Sequence, residues 1–107
     1  MNELIPTHQS ENDEILVTGR DLHEFLEIKT SYTQWFERMN DYGFSENVDF
    51  IVITKNVNDE TLFGGFRKIT DHHIKLDMAK EISMLQRNEK GKQARQYFIE
   101  IEKKWNH

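Results

Sequence analysis

The sequence predicts an α+β domain that consists of an N-terminal helical pair resembling a helix-turn-helix, a small antiparallel sheet, and two C-terminal helices. Apolar residues recur at helical spacing near both ends of the chain. Between them, the segment VDFIVIT at 48–54 is rich in β-branched and aromatic residues, and the polar segment NVND follows it closely, a pattern typical of a strand and a turn. The 107 residues are enough for one hydrophobic core and too few for two, so a single domain is expected.

The beginning of the chain differs from the rest in composition. Its first thirteen residues, MNELIPTHQSEND, are polar, contain the only proline and show no sustained periodicity. They predict a flexible N-terminal arm over 1–13 that adds a short strand at Leu4 and Ile5. Residues 14–107 are then expected to form the domain.

A strand and a first helix are predicted next. The run EILVT at 14–18 is β-prone. Thr18 is the expected cap of a helix over 19–27, with Asp21 three residues later as an imperfect capping box. The apolar positions of this helix, at i, i+3 and i+4, are Leu22, Phe25 and Leu26.

A second helix restarts at Thr30 or Ser31, either of which is a suitable cap. Gly43 lies where a left-handed helix terminator belongs. The same apolar spacing is repeated by Tyr32, Trp35, Phe36 and Met39.

The strand at 48–54 is followed by the polar segment NVND, which predicts a turn, and by a returning strand or strands over 62–74. Gly64 and Gly65 predict a bend or bulge there, and the result is an antiparallel hairpin.

Two C-terminal helices are predicted at 76–87 and 89–105, with Gly91 as a frayed start to the second. The apolar face of the first carries Met78, Ile82 and Leu85. That of the second carries Ala94, Tyr97, Phe98, Ile101 and Trp105. Ile99 lies off this stripe, which predicts a second buried face or an oligomer contact.

The charge is unevenly distributed along the chain. Residues 1–60 hold thirteen acidic against four basic residues, a net charge of −9, whereas residues 61–107 hold ten basic against six acidic residues, a net charge of +4. The total of −5 disfavours nonspecific DNA binding, because phosphate contacts depend on lysine and arginine. A local basic surface is still compatible with it.

Catalytic and metal-dependent functions have little support. Cysteine is absent, which excludes disulfides and thiolate nucleophiles. His72 and His73 are adjacent on a predicted strand and therefore point to opposite faces, so they do not chelate one ion readily. No phosphate loop or nucleophile motif is present. We therefore predict no enzymatic activity, no metal site and no cofactor.

The stretch GRDLHEFLEIKTSYTQWFERM at 19–39 raises the question of a helix-turn-helix. Its apolar spacing is compatible with that motif, but His23 stands where a small residue is preferred and Glu27 replaces the turn glycine. The second helix carries more acidic than basic charge, which is unfavourable beside phosphates. The residues of this helix that are candidates for nucleic-acid contacts are Thr33, Gln34 and Arg38. The alternative is a helical hairpin that serves only to pack the core.

Four basic residues surround the junction of the two C-terminal helices: Arg87, Lys90, Lys92 and Arg95. This basic junction is open to three interpretations. It is a solvated helix junction, a site for an anion or nucleic acid, or a contact for an acidic partner such as the acidic half of another copy.

Two segments make the chain recognisable. TGRDLHEFLEIKTSYTQWFERMNDYGFSENVDF at 18–50 and LDMAKEISMLQRNEKGKQARQYFIEIEKKW at 76–105 closely resemble the AntA/AntB antirepressor family, N-terminal domains of proteins from temperate bacteriophages and prophages. The resemblance runs from about residue 17 to residue 105. One departure is Lys75, where the family more often has a threonine that would cap the following helix.

The sequence has no run of eighteen apolar residues and no positively charged leader before an apolar stretch, which predicts a protein of the bacterial cytoplasm. The resemblance implies that it relieves repression of a prophage by acting against its repressor. It also implies relatives with a further C-terminal domain, so the chain is either a fragment or a short version. A noncatalytic contact with the phage repressor is predicted through four acidic residues, because a repressor presents a basic surface to its operator. These residues are Glu24, Glu27, Glu37 and Asp41. Similarity of the family to Bro-N and KilA-N domains keeps sequence-specific DNA binding as the alternative, and a homo-oligomer is expected from Ile99 and from the opposite charges of the two halves.

Overall fold

A computed structural model describes residues 4–105, and the side chains of residues 4–104. Four strands and four helices are present in this part of the chain, which confirms the predicted α+β class. In chain order they are β1 (Thr7–Gln9), β2 (Ile15–Thr18), α1 (Gly19–Phe25), α2 (Tyr32–Asn40), β3 (Phe50–Asn58), β4 (Phe66–Lys75), α3 (Leu76–Leu85) and α4 (Glu89–Trp105).

The strands form one antiparallel sheet in the order β1-β2-β4-β3. β4 is therefore central: Val17 of β2 lies opposite Ile74 on one side, and Phe50 of β3 lies opposite the same residue on the other. These three residues are buried and give the sheet its core-facing surface. The helix α3 follows β4 without a connecting residue.

Every helix contributes to a single core. The residues whose apolar side chains have the helical spacing noted above account for most of it, and Trp35, Leu22, Ile82 and Phe98 are each 0% exposed. Burial of such faces is the main stabilisation of short helices, whose intrinsic propensity is too weak to hold them in water. Trp105 was expected to complete the stripe on α4, but its side chain is outside the described residues.

The N-terminal segment differs from its prediction. The strand expected at Leu4 and Ile5 is instead β1, three residues further on, because that is where the chain pairs with β2. Ile5 is fully buried, and its carbonyl accepts a hydrogen bond from the Tyr97 hydroxyl at 3.1 Å. The division of the chain into an arm over 1–13 and a domain over 14–107 stays a prediction.

The hairpin is longer than expected. The segment NVND was predicted to turn, yet β3 continues to Asn58, which lies opposite Phe66. The turn lies at residues 59–65, where Gly64 and Gly65 adopt φ values of 94° and 79°. Such left-handed conformations favour glycine, so the glycines form the turn itself and not a bend or bulge inside a strand.

The junction between α3 and α4 is tightly packed. The Asn88 side chain accepts a hydrogen bond from Gly91 N at 2.8 Å and caps α4. A Cβ atom at position 91 would collide with the Ser83 carbonyl oxygen. The prediction of a frayed start at Gly91 is therefore wrong: glycine is required there because α4 approaches the end of α3 so closely.

Candidate partner-binding surfaces

The helix α2 is held firmly by its inner face. Ser31 is its cap and accepts a hydrogen bond from Gln34 N at 3.4 Å. All four apolar residues predicted for this face are buried. The opposite face is exposed, and it carries Thr33, Gln34, Glu37, Arg38 and Asp41. Glu37 and Asp41 are one helical turn apart and lie on the same face. This face has more acidic than basic charge, because Arg38 is its only basic residue.

The four acidic residues predicted to bind a repressor are all exposed. Glu24 is on α1, Glu27 is in the connection between the helices, and Glu37 and Asp41 belong to α2 and its C-terminal cap. We call them the acidic set. Glu27 has a φ of 56°, the left-handed conformation that the turn glycine of a helix-turn-helix adopts, so the backbone there resembles the motif although the residue does not. The connection from 26 to 31 is longer than the usual turn of that motif.

The four residues of the basic junction do not all face the same space. Arg87, Lys92 and Arg95 line one open groove of about 570 Å³ together with Met84 and Glu89. Lys90 is elsewhere, with its ammonium 5.0 Å from the centre of the Phe25 ring of α1. This cation–π contact ties α4 to α1, so Lys90 has a structural contact that its sequence position did not indicate.

Beneath the helical pair lies a buried carboxylate that was not predicted from the sequence. Asp71 of β4 is 0% exposed, and its Oδ1 accepts hydrogen bonds from Arg20 N at 3.0 Å and from His72 N at 2.8 Å. Its Oδ2 is 2.8 Å from the ammonium of Lys55. Asp71 therefore caps the N-terminus of α1 although it belongs to β4. A negative charge at a helix N-terminus is favoured by the helix dipole.

This long-range cap replaces the local one that was predicted. Thr18 occupies the N-cap position, but its side chain makes no capping hydrogen bond and contacts His8 Nε2 at 3.1 Å instead. One signal in the sequence could have indicated the carboxylate: aspartate is disfavoured within strands, yet Asp71 interrupts the segment ITDHHI.

A second group of polar and aromatic side chains joins α2 to β4. The Tyr32 hydroxyl is 2.6 Å from His72 Nδ1, and the His72 ring stacks on Phe36 with 3.7 Å between ring centres. The Arg20 guanidinium lies over the Tyr32 ring at 4.6 Å. Burial, followed by the negative charge of Asp71, raises the pKa of Tyr32 far above its ordinary value, so the hydroxyl beside His72 stays protonated.

We expect this arrangement to make stability depend on pH. Burial is the largest cause of the lowered pKa of His72, opposed by Asp71 and Glu46 and reinforced by Arg20. Because the unfolded chain then takes up a proton more readily than the folded one, the free energy of unfolding should fall as pH drops from about 7 through the ordinary histidine pKa of about 6.5. Urea unfolding at about pH 7.5 and about pH 5.5 measures the difference.

The matched variant is His72→Gln, which keeps a hydrogen-bonding side chain beside Tyr32 but does not titrate. It should lose part of this pH dependence and retain the rest, since burial also lowers the pKa of His73. An equal pH dependence in the variant and the original chain would contradict the assignment to His72.

His23 fills the space between α1 and α2. Its Nε2 is 2.7 Å from the Thr30 carbonyl oxygen, and its ring centre is 5.2 Å from that of Trp35. The position where a helix-turn-helix prefers a small residue is thus occupied by a side chain that holds the connection in place. This structural role explains why His23, and not a small residue, occupies this position.

Two observations on the described residues bear on other classes of function. No group of three or more metal-ligating side chains lies together among residues 4–104. None of the helices in the described part of the chain is long and apolar enough to cross a membrane.

Comparison with known proteins gives one match. Residues 17–88 match the AntA/AntB antirepressor family, from the end of β2 to the cap of α4. No curated protein and no solved structure matches the chain. The matched region spans about two thirds of the sequence and includes the helical pair, the hairpin and α3. The chain therefore belongs to the AntA/AntB antirepressor family, which supports a general role as an antirepressor in phage regulation.

Proposed function

We propose that this domain relieves repression by binding a phage repressor directly and without catalysis, through the acidic set. The observation that carries the proposal is the exposed face of α2, where Glu37 and Asp41 outweigh Arg38. A DNA-binding repressor must expose basic residues to its operator, and an acidic surface attracts such residues and steers the two proteins together.

The packing beneath α2 supports the same proposal. Its inner face is buried and its cap is formed, so the outer face is presented on a rigid element. Rigid presentation lowers the entropy that must be lost when a partner binds. The acidic residues themselves form none of the ion pairs found among the described residues, so their charge is available to a partner.

The test is a titration of the purified domain against the cognate repressor. The double charge reversal Glu24→Lys with Glu37→Lys should weaken the complex about tenfold or more, mainly by slowing association. Its matched control is Glu100→Lys, which reverses an exposed charge on α4, outside the acidic set. An unchanged affinity in the double variant, measured at low salt, would contradict the proposal.

Sequence-specific DNA binding is the second candidate, and one observation favours it. The chain order β2-α1-α2-β3-β4, with β4 between β2 and β3, has the connectivity of a winged helix-turn-helix, in which a helical pair is followed by a hairpin. In this arrangement α2 would offer Thr33, Gln34 and Arg38 to base edges. The acidic charge of the same face opposes it.

A parallel titration against operator and unrelated duplexes over a range of salt distinguishes the two. If DNA is the partner, affinity should fall steeply with salt, and Lys92→Ala with Arg95→Ala should flatten the slope by about one unit for each phosphate that is no longer bound. If the repressor is the partner, these substitutions should matter less than the charge reversals. Tight operator binding without any repressor complex would overturn the first proposal.

A further inference from the structure

The hairpin of β3 and β4 projects from the core. No residue between 51 and 70 is buried, and the longest dimension of the molecule is 48 Å against 31 and 30 Å for the others. A two-stranded hairpin without a packing partner is marginally stable in water. The projecting part of this hairpin therefore lacks the contacts that normally stabilise such a structure.

Exposed apolar side chains are concentrated along the same region. Nine large apolar residues are exposed in the described chain, and seven of them lie between residues 42 and 66. They are Tyr42, Val48, Ile51, Val52, Leu62, Phe63 and Phe66. Phe63 is 106% exposed, at the tip of the hairpin. Scattered single residues of this kind are ordinary, but a cluster indicates a contact surface.

The outer edge of β3 is open to a further strand. β3 is the last strand in the sheet order, so no further strand pairs with its outer edge, which is bridged only at Phe50, by Glu46 of the preceding segment. Asp49 O accepts from Lys75 N of β4, and Phe50 O accepts from Asn47 N on the outer side. Because backbone groups alternate in direction along a strand, those of Val52, Thr54 and Asn56 also point outward.

The usual protection of an edge strand is absent from β3. Natural proteins block edges with charged residues, lysine above all, and with proline. The only charged residue of β3 is Lys55, and its ammonium is bound to the buried Asp71 at 2.8 Å, within the same hairpin. The edge therefore carries no free charge that would repel a second strand.

We propose that the outer edge of β3 pairs antiparallel with the same strand of a second copy of this chain. A two-fold axis near Thr54, the middle of the strand, would place the tip of each hairpin beside the segment that precedes β3 in its partner. The tip carries Leu62, Phe63 and Phe66, and the preceding segment carries Tyr42 and Val48. The exposed apolar residues of the two ends are thus brought together in both halves of the dimer.

The available area is of the size that a stable dimer needs. From their exposed fractions, Phe63, Phe66 and Tyr42 offer roughly 300 to 550 Å² in each copy, given about 150–250 Å² for a whole aromatic side chain. The exposed aliphatic residues of the same region raise this toward the roughly 800 Å² per partner of a standard interface. The acidic residues of the tip are partly neutralised, since Asp59 is 3.3 Å from the Arg67 guanidinium.

This surface differs from the one expected from Ile99. Ile99 is only partly exposed and lies with Met84 in a groove whose other lining residues are charged or polar. The dimer proposed here does not depend on the acidic set, so it can be tested independently of repressor binding.

The first measurement is the mass of the 107-residue chain in solution by light scattering at tens of micromolar. It should be twice 12.9 kDa. Thr54→Pro should halve it, because proline removes an outward N–H and leaves the ladder to β4 intact. Phe63→Ser, at a fully exposed position where folding is not at risk, should weaken dimerisation about tenfold or more. The matched control is Met84→Lys, an exposed apolar residue on α3, which should remain dimeric.

Cross-linking tests the pairing itself. The chain has no cysteine, so single cysteines at positions 52, 54 and 56 report only on the new thiol. One of them, at or next to the two-fold axis, should form an intermolecular disulfide readily under mild oxidation, because facing residues of paired strands have Cα atoms about 5.5 Å apart. Met84→Cys should not.

Three outcomes would overturn the proposal. One is a monomeric mass for the original chain at hundreds of micromolar. Another is a dimer that Thr54→Pro and Phe63→Ser leave intact, which would locate the interface elsewhere. The third is a monomer whose binding to the repressor is abolished by Thr54→Pro, which would assign the edge to that partner instead.

Discussion

Replacing Phe98 by Ala is expected to lower the free energy of unfolding by about 3–5 kcal/mol. Phe98 is 0% exposed, and its ring lies 5.8 Å from that of Tyr97 in the seam between α4 and the rest of the core. The substitution removes the transfer free energy of the ring and leaves a cavity that rigid neighbours fill only in part. Urea denaturation followed by circular dichroism measures the change.

The matched control is Lys103→Ala, an exposed position on the same helix that should change stability by no more than about 0.5 kcal/mol. A decrease below about 1 kcal/mol for Phe98→Ala would mean that the seam rearranges around the smaller residue. Since the whole of α4 lies beyond the matched family region, the full decrease would also show that this helix is an integral part of the fold.

The helices were predictable because their apolar spacing records which side faces the core. Trp35 and Phe36 on α2 and Phe98 on α4 were assigned to buried faces from spacing alone, and all three are buried. The start of α3 at Leu76 was also predicted, although its cap Lys75 makes no side-chain capping hydrogen bond. The local sequence pattern was sufficient for the helices because each of them packs one continuous stripe of apolar residues against the core.

Features that depend on distant pairing were less predictable. Asn58 looks like a turn residue, but it extends β3 because an edge strand exposes its polar side chains to water. Ile5 looks like part of a polar arm, yet it is fully buried, and its partner Tyr97 on α4 is ninety-two residues away in sequence. Neither the pairing of Asn58 with Phe66 nor the contact of Ile5 with Tyr97 can be read from the local sequence.

The candidate surfaces were likewise predictable where they depend on local pattern and not where they depend on how distant elements pack. The exposure of Glu24 and Glu37 followed from their positions on amphipathic helices. The grouping of Arg87, Lys92 and Arg95 without Lys90 did not, because it depends on how α4 lies against α1. The exposure of Phe63 was also missed, since an apolar residue between two strands gives no indication that the hairpin projects.

The buried carboxylate provides the second large effect. Asp71→Ala is expected to lower the free energy of unfolding by about 2–4 kcal/mol, because the backbone donors of Arg20 and His72 are left without their acceptor in a site closed to water. The cost is below that of a fully buried ion pair, since the Lys55 side chain is 42% exposed and can return to solvent.

A matched series separates the contributions of the cap and of the charge. Asp71→Asn keeps an acceptor for Arg20 N and removes the charge, so it should cost less than half as much as Asp71→Ala. Lys55→Gln removes only the ion pair and should cost about 1 kcal/mol or less. If the two substitutions at position 71 were equally costly, the negative charge and not the hydrogen-bonded cap would be the stabilising feature of this site.

If the cap is the main contribution, Asp71→Ala should also loosen α1. Amide hydrogen exchange in residues 19–25 would report this loosening as faster exchange relative to α3. If the acidic set binds a repressor as proposed, the same variant should bind it more weakly even at temperatures where the domain remains folded, because Glu24 lies on α1. Unchanged exchange in α1 would instead mean that the packing of Leu22 against the core holds this helix without its cap.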